Sequence, residues 1–215
     1  MTDAGMIEIA AGVVAAVRST ADALAAGGAS RADEAAAGAL PAWRVPEYLA
    51  GRGLLRRLLA DLVGAGAAGA ELRARPGGQP YLAGYPDVGV SVSHTGGTVA
   101  AAVGVGRPVG VDVQAPTAPS AGLIARCCAP DVADALAALS PARRDVEFAR
   151  IWAVQEACVK AAGTGLSGAP WRIPVGYGQA TGAWGGYRWR ALRAPDVPPA
   201  ACAYAAEGAD RACGR

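Results

Sequence analysis

"DVGVSVSHTGGTVAAAVGVGRPVGVDVQAP", residues 87–116, is the most clearly patterned stretch of this 215-residue chain. Val88, Val90 and Val92 alternate with small residues, which is the two-residue period of a half-buried strand. "TVAAAVGVG" predicts a second strand and "RPVGVDVQAP" a third, and short Gly-containing turns separate the three. This stretch therefore predicts a sheet at the centre of the fold.

Helical patterns flank the predicted sheet on both sides. "SPARRDVEFARIWAVQEACVKAAGTG" predicts the longest helix, with Ser140 as N-cap, Pro141 at the first helical position and Gly163 at its end. "PEYLAGRGLLRRLLADLVG" carries leucines at helical spacing, while its arginines, Arg56 among them, lie off that stripe. "SRADEAAAGAL" predicts a shorter capped helix. "IEIAAGVVAAV", "RIPVGYG", "GYRWRAL" and "ACAYAAEG" predict further strands, so the whole pattern indicates an α+β fold built on antiparallel sheet.

Composition excludes several classes of function. The net charge of +2 is too small for nucleic-acid binding by phosphate neutralisation. The five cysteines are odd in number and contain no CxxC pair, which argues against a disulfide framework or a zinc site and favours a reducing cytoplasm. The first residues carry Asp3 and Glu8 instead of a basic region, and the apolar run 9–17 is too short to cross a bilayer. We expect a soluble, cytoplasmic protein with no membrane or nucleic-acid partner.

His94, the only histidine, lies between Ser93 and Thr95 at a predicted strand end, just before Gly96 and Gly97. One interpretation is a solvated loop residue. The other is a phosphate ligand, because the ring and hydroxyl donors could hold an oxyanion that the glycines allow to approach the backbone.

Asp112 and Gln114 share the strand face opposite to the valines of "VGVDVQ". This face is either solvated or directed at a hard cation such as Mg²⁺, which takes one or two carboxylates and keeps several waters. Glu156 and Lys160 stand one helical turn apart, either as a stabilising surface pair or as functional groups. The functional interpretation rests on composition. Lys160 is the one lysine among 20 Lys and Arg residues, which suggests a task better suited to a compact ammonium than to a guanidinium.

Four motifs, "GGQPYL", "VSVSHTGG", "VGVDVQ" and "WAVQEACVKAAGTGL", together resemble those of 4′-phosphopantetheinyl transferases in order and spacing. The resemblance covers roughly residues 40–207 and is to the larger, surfactin-synthetase-activating type. It implies two similar, pseudo-symmetric α+β halves, 1–108 on the nucleotide side and 109–215 with the metal site and catalytic helix. Each half would be a small, mainly antiparallel sheet packed with helix, and the active site would lie in the cleft between them.

The resemblance also implies an activity. Such an enzyme transfers phosphopantetheine from coenzyme A to a serine of an apo acyl or peptidyl carrier protein, with Mg²⁺, and releases adenosine 3′,5′-bisphosphate. A monomer is expected, and the carrier could belong to fatty-acid, polyketide or nonribosomal peptide biosynthesis. An alternative is a non-catalytic homologue that binds coenzyme A or a carrier protein and regulates, and a third is a structural α+β domain whose motifs are coincidental.

Roles for individual residues follow from the same resemblance. Ser93 and His94 would hold the adenosine 3′-phosphate, and Arg52 would add positive charge near the nucleotide. Asp112 and Glu156 would bind Mg²⁺, Glu156 would accept the serine proton, and Lys160 would offset charge on the phosphates. The remaining candidates are Gln79 and Pro80 of "GGQPYL" at coenzyme A, and Gln114 at the metal.

Three glutamines depart from the family pattern. Gln114 stands where relatives usually have an acid, and Gln79 and Gln155 stand where they usually have lysines. We expect Gln114 to lower the negative charge of the metal site, and Gln79 and Gln155 to remove two cations from coenzyme A phosphates or neighbouring groups.

Overall fold

The computed structural model describes residues 5–193 and 196–208. Within these ranges the chain forms seven α-helices and ten β-strands, which confirms the predicted α+β fold. The helices are α1 (Thr20–Ala25), α2 (Arg31–Ala37), α3 (Val45–Leu62), α4 (Ala65–Gly69), α5 (Ala121–Cys127), α6 (Pro130–Ala137) and α7 (Pro141–Ala162). The strands are β1 (Ile7–Ala10), β2 (Val13–Ser19), β3 (Leu72–Ala74), β4 (Pro80–Leu82), β5 (Val88–Thr95), β6 (Thr98–Val105), β7 (Val109–Val113), β8 (Thr181–Trp184), β9 (Tyr187–Leu192) and β10 (Ala200–Ala205).

The strands form two four-stranded antiparallel sheets and one small hairpin. The first sheet has the order β1-β2-β6-β5 and the second the order β7-β10-β9-β8, while β3 and β4 pair with each other. The first sheet takes its strands from residues 7–105 and the second from residues 109–205. The division of the chain into two halves at residue 108 remains a prediction.

Alternation along the strands explains how the layers stack. One face of β7 carries Val109, Val111 and Val113. These valines pack with Val13, Val17 and Ala100 in a core between the two sheets. Residues of the opposite parity face the helices, because successive side chains of a strand point to opposite faces. Thus Val99 and Val103 pack against the leucines of α3, and Ala201 and Ala203 pack in the core of α7.

Helix α7 lies very close to β7, and Gly110 makes this possible. A Cβ atom at Gly110 would collide with the carbonyl oxygen of Ala157 and the amide nitrogen of Ala161. The helix begins after Ser140, as predicted, and ends at Gly163, whose φ of 69° is the left-handed conformation that glycine adopts without strain. The close contact brings the last turns of α7 over Asp112 on β7.

The structure corrects several local expectations. "RIPVGYG" forms no strand, whereas β8, which the sequence did not predict, pairs with β9. "IEIAAGVVAAV" is two strands joined by a turn at Gly12 rather than one. Arg56, which lies off the leucine stripe of α3, is nevertheless buried and pairs with Asp33 of α2. In the part of the chain that the structure describes, we find no helix with the length and apolarity to span a bilayer.

Candidate functional site

The two sheets meet edge to edge through side-chain hydroxyl groups. Strand β7 uses one edge for β10, so its other edge turns toward β5. There, the backbone N–H groups of Val111 and Val113 donate to the hydroxyls of Ser91 (3.0 Å) and Ser93 (3.5 Å). The amide of Ala115 donates to Thr95 Oγ1 at 3.4 Å. These hydroxyls satisfy backbone donors that an open sheet edge would leave unpaired.

Ser93, Asp112 and Lys160 form one hydrogen-bonded cluster at this seam. Ser93 Oγ donates to Asp112 Oδ1 at 2.7 Å, and Lys160 Nζ donates to the same oxygen at 2.6 Å. Lys160 also reaches Ser93 Oγ at 3.2 Å and the carbonyl oxygen of Val111 at 3.3 Å. Asp112 is only 6% exposed, which rules out the solvated strand face. Lys160 therefore forms its ion pair with Asp112 across the packed elements, not with Glu156 along the helix.

Glu156 lies one turn before Lys160 on α7, and its environment is unusual for a carboxylate. Its Oε1 atom is buried and has no hydrogen-bond partner among the described residues. Burial, followed by the negative charge of Asp112, raises the pKa of Glu156, and Lys160 acts in the opposite direction. The charge of Asp112 thus acts on Glu156 at the seam, and one oxygen of Glu156 is left for a proton, water or ligand.

His94 lies on the other face of β5, because adjacent side chains of a strand alternate. Its Nδ1 is 2.8 Å from Glu47 Oε2, and the side chain is 36% exposed. Glu47 comes from the first turn of α3, and its second oxygen accepts a hydrogen bond from the Gly97 amide at 3.0 Å. Ser93 and His94 are neighbours in sequence, but they belong to separate clusters.

The remaining candidates lie around these two clusters. Arg52 on α3 is 3.9 Å from Asp33 and stacks over the ring of Tyr48. Gln79, just before Pro80 of β4, contacts the end of α7, where its Nε2 is 3.5 Å from the carbonyl oxygen of Lys160. Gln114 donates to the carbonyl oxygen of Ala115 at 3.2 Å.

The sequence placed Gln155 at either coenzyme A phosphates or neighbouring groups, and the structure places it among neighbouring protein groups. Its side chain is 0% exposed, and Nε2 donates to the carbonyl oxygens of Cys127 and Ile173 at 2.8 and 2.9 Å. These two hydrogen bonds connect α7 to the segments that contain Cys127 and Ile173, which pack against it. Sequence reasoning also missed Glu47, since an acid in the first turn of a helix is commonplace and carries no local signal of contact with His94.

Comparison with known proteins finds similarity in the region that holds Asp112, Glu156 and Lys160. A sequence model of the 4′-phosphopantetheinyl transferase superfamily matches residues 108–176. The chain is also similar to a 4′-phosphopantetheinyl transferase of Bacillus subtilis, with 29% identity over 119 residues. That match covers 55% of this chain and 53% of the relative, so the chain aligns with about half of the relative's length.

Proposed function

We propose that this chain transfers 4′-phosphopantetheine from coenzyme A to a serine of an apo carrier protein and releases adenosine 3′,5′-bisphosphate. The observation that carries the proposal is the cluster at the seam, where β5, β7 and α7 bring Ser93, Asp112 and Lys160 together with the unpartnered carboxylate oxygen of Glu156. The family match covers the strand and the helix that supply three of these residues. Both sheets come from one chain, which favours the larger type of transferase acting as a monomer.

Asp112 and Glu156 are suited to hold Mg²⁺. The described residues gather no group of three or more His, Cys, Asp or Glu side chains that could hold a metal ion, and the site proposed here has two carboxylates, Asp112 and Glu156. Mg²⁺ commonly binds in this way, completing its octahedron with water and phosphate oxygens. The unpartnered Oε1 of Glu156 fits such a ligand, and when bound the ion would neutralise charge on the coenzyme A pyrophosphate. Gln114 donates through its amide nitrogen to Ala115, and its amide oxygen would be the atom that takes part.

In the proposed reaction the serine oxygen of the carrier protein attacks the phosphorus that bears the pantetheine. The new P–O bond forms as the P–O bond to adenosine 3′,5′-bisphosphate breaks, and the serine proton passes to Glu156 directly or through one water. The unpartnered Oε1 of Glu156 suits this residue to accept that proton. Lys160 offsets charge on the phosphate oxygens, and phosphoryl transfer needs mainly this combination of positioning and charge neutralisation.

The other site residues have supporting roles in this proposal. Ser93 bonds both Asp112 and Lys160 and is 8% exposed, so we assign it to positioning these two groups in place of the 3′-phosphate contact that the resemblance implied. His94 meets the 3′-phosphate. Arg52 would add positive charge near the nucleotide, and Gln79 and Pro80 would contact coenzyme A near the end of α7. The carrier could serve fatty-acid, polyketide or peptide synthesis, and the site of action would be the cytoplasm.

The test is incubation with apo carrier protein, coenzyme A and Mg²⁺, followed by intact-mass measurement of the carrier. Addition of phosphopantetheine is the expected result. The matched control is Lys160→Met, which removes the ammonium but keeps the length of the side chain, and it should transfer at least about a hundredfold more slowly. Binding of coenzyme A without addition of phosphopantetheine would contradict the proposal and favour a regulatory homologue. Absence of coenzyme A binding would also contradict it and favour the interpretation as a structural domain.

A further inference from the structure

Glu47 occupies a position where an anionic ligand would be expected. One of its oxygens is 2.8 Å from His94 Nδ1, and the other accepts the Gly97 amide at 3.0 Å. The amide is available because Gly96 and Gly97 have φ of 50° and 79°, which glycine adopts without strain. An imidazole N–H and a backbone N–H at a glycine turn are donors that typically hold phosphate oxygens. A carboxylate is an oxyanion too, so Glu47 uses the donors that a phosphate would use.

The pairing also changes the charge of this site. Glu47 adds a carboxylate beside His94, so an incoming phosphate meets a negative group at the position of its own oxygens. It must also compete with a carboxylate that is tethered to α3 and therefore always present at high local concentration. Both effects weaken the binding of an anion at His94 and Gly97.

We propose that Glu47 is an internal competitor for the 3′-phosphate of the donor and thereby sets donor selectivity. This inference rests on the proposed function, because it takes coenzyme A as the donor and His94 as the contact of its 3′-phosphate. Glu47 lowers the preference for coenzyme A over 3′-dephospho-coenzyme A, and loss of its charge raises that preference.

A different role for Glu47 would be to orient His94 so that Nε2 points at the phosphate. An orienting acid needs only the contact with Nδ1. Glu47 instead spreads its two oxygens over two donors and occupies the Gly97 amide, which favours competition. The two roles predict opposite effects of removing the charge, so one substitution separates them.

The experiment measures KM and kcat for coenzyme A and for 3′-dephospho-coenzyme A in the wild type and in Glu47→Gln. Glu34→Gln is the matched control, since Glu34 is an exposed acid on α2. We expect Glu47→Gln to lower KM for coenzyme A about tenfold, because the 3′-phosphate regains one charge-assisted hydrogen bond for which Glu47 competes. The KM for the dephospho donor and both kcat values should stay as in wild type and control. Adding His94→Ala to Glu47→Gln should abolish the gain.

A KM for coenzyme A that rises or stays unchanged, or an equal response to both donors, overturns the proposal. Calorimetric binding of adenosine 3′,5′-bisphosphate and adenosine 5′-monophosphate provides a readout that does not need transfer. If no variant transfers with either donor, the proposed function fails, while these two nucleotides still decide the role of Glu47. Tighter binding of the bisphosphate alone in Glu47→Gln is then the supporting result, and equal binding by wild type and variant contradicts it.

Discussion

Replacing Asp112 by Asn tests the cluster at the seam most directly. The amide keeps the size of the side chain and one oxygen, but it removes the charge that accepts hydrogen bonds from both Ser93 and Lys160. Hydrogen bonds to a charged group contribute about 1.5 to 3 kcal/mol. Since the Lys160 side chain is 30% exposed, water can solvate part of the released ammonium, so we expect a loss of about 1 to 2 kcal/mol. For a chain of this size that lowers Tm by about 2 to 8 °C.

The effect on transfer should be much larger than the effect on stability. The Asp112→Asn variant would keep just one carboxylate of the proposed metal pair, Glu156, and Lys160 would lose the partner that fixes its ammonium. Removal of one preorganised charged group costs about a hundredfold to a thousandfold in turnover. The assay combines thermal melts, circular dichroism and initial rates of carrier modification, all at saturating coenzyme A. Asp61→Asn is the matched control, because Asp61 is an exposed acid at the end of α3.

A turnover within about threefold of wild type, with Tm unchanged, would refute this reasoning. It would mean that neither the charge of Asp112 nor its contact with Lys160 matters to the chemistry. A large loss of Tm together with lost turnover would be resolved by Lys160→Met, which removes the other partner of the same ion pair and leaves both carboxylates in place.

Three further predictions concern stability and the metal. Burial alone would raise the pKa of Asp33, but hydrogen bonds from Arg56 and Ser30 outweigh it and hold the pKa below its usual value of 3.8. Asp33→Asn removes the carboxylate partner of the buried Arg56, which keeps only its hydrogen bonds to the carbonyl oxygens of Ala68 and Ala70, and should cost about 3 to 5 kcal/mol near neutral pH. Because the folded-state pKa is lowered, this stabilisation is present above the unfolded pKa and is lost as pH falls through the folded pKa, so denaturant midpoints of wild type and variant should converge below about pH 4. A constant difference across pH would exclude the ion pair as its source. Gly110→Ala should destabilise by about 1 to 3 kcal/mol, since the added methyl meets helix backbone that cannot move aside, and an unchanged urea midpoint would contradict the close contact with α7. Gln114→Glu adds a carboxylate beside Asp112 and should lower the Mg²⁺ concentration for half-maximal rate, whereas an unchanged midpoint would place position 114 outside the reach of the ion.

The amino-acid sequence determined the elements whose pattern is strong. Period-two alternation identified β5 and β7, and the apolar segment between them was predicted as β6. Leucine spacing identified α3 and capping residues identified α7, because these signals arise within a few consecutive residues. The same alternation placed Asp112 on the face opposite to Val111 and Val113. Where the pattern is weak, as in the alanine-rich and glycine-rich segments, β8 was missed and "RIPVGYG" was assigned wrongly.

Only the tertiary structure decided which side chains meet. Asp112 and Lys160 are 48 positions apart, and their contact depends on Gly110 letting α7 approach β7. Glu47 reaches His94 because α3 covers the outer face of the first sheet. For the same reason no local pattern around Gln155 indicates that this side chain is fully buried. A local pattern reports which face a residue occupies, but the partner on that face is set by long-range packing.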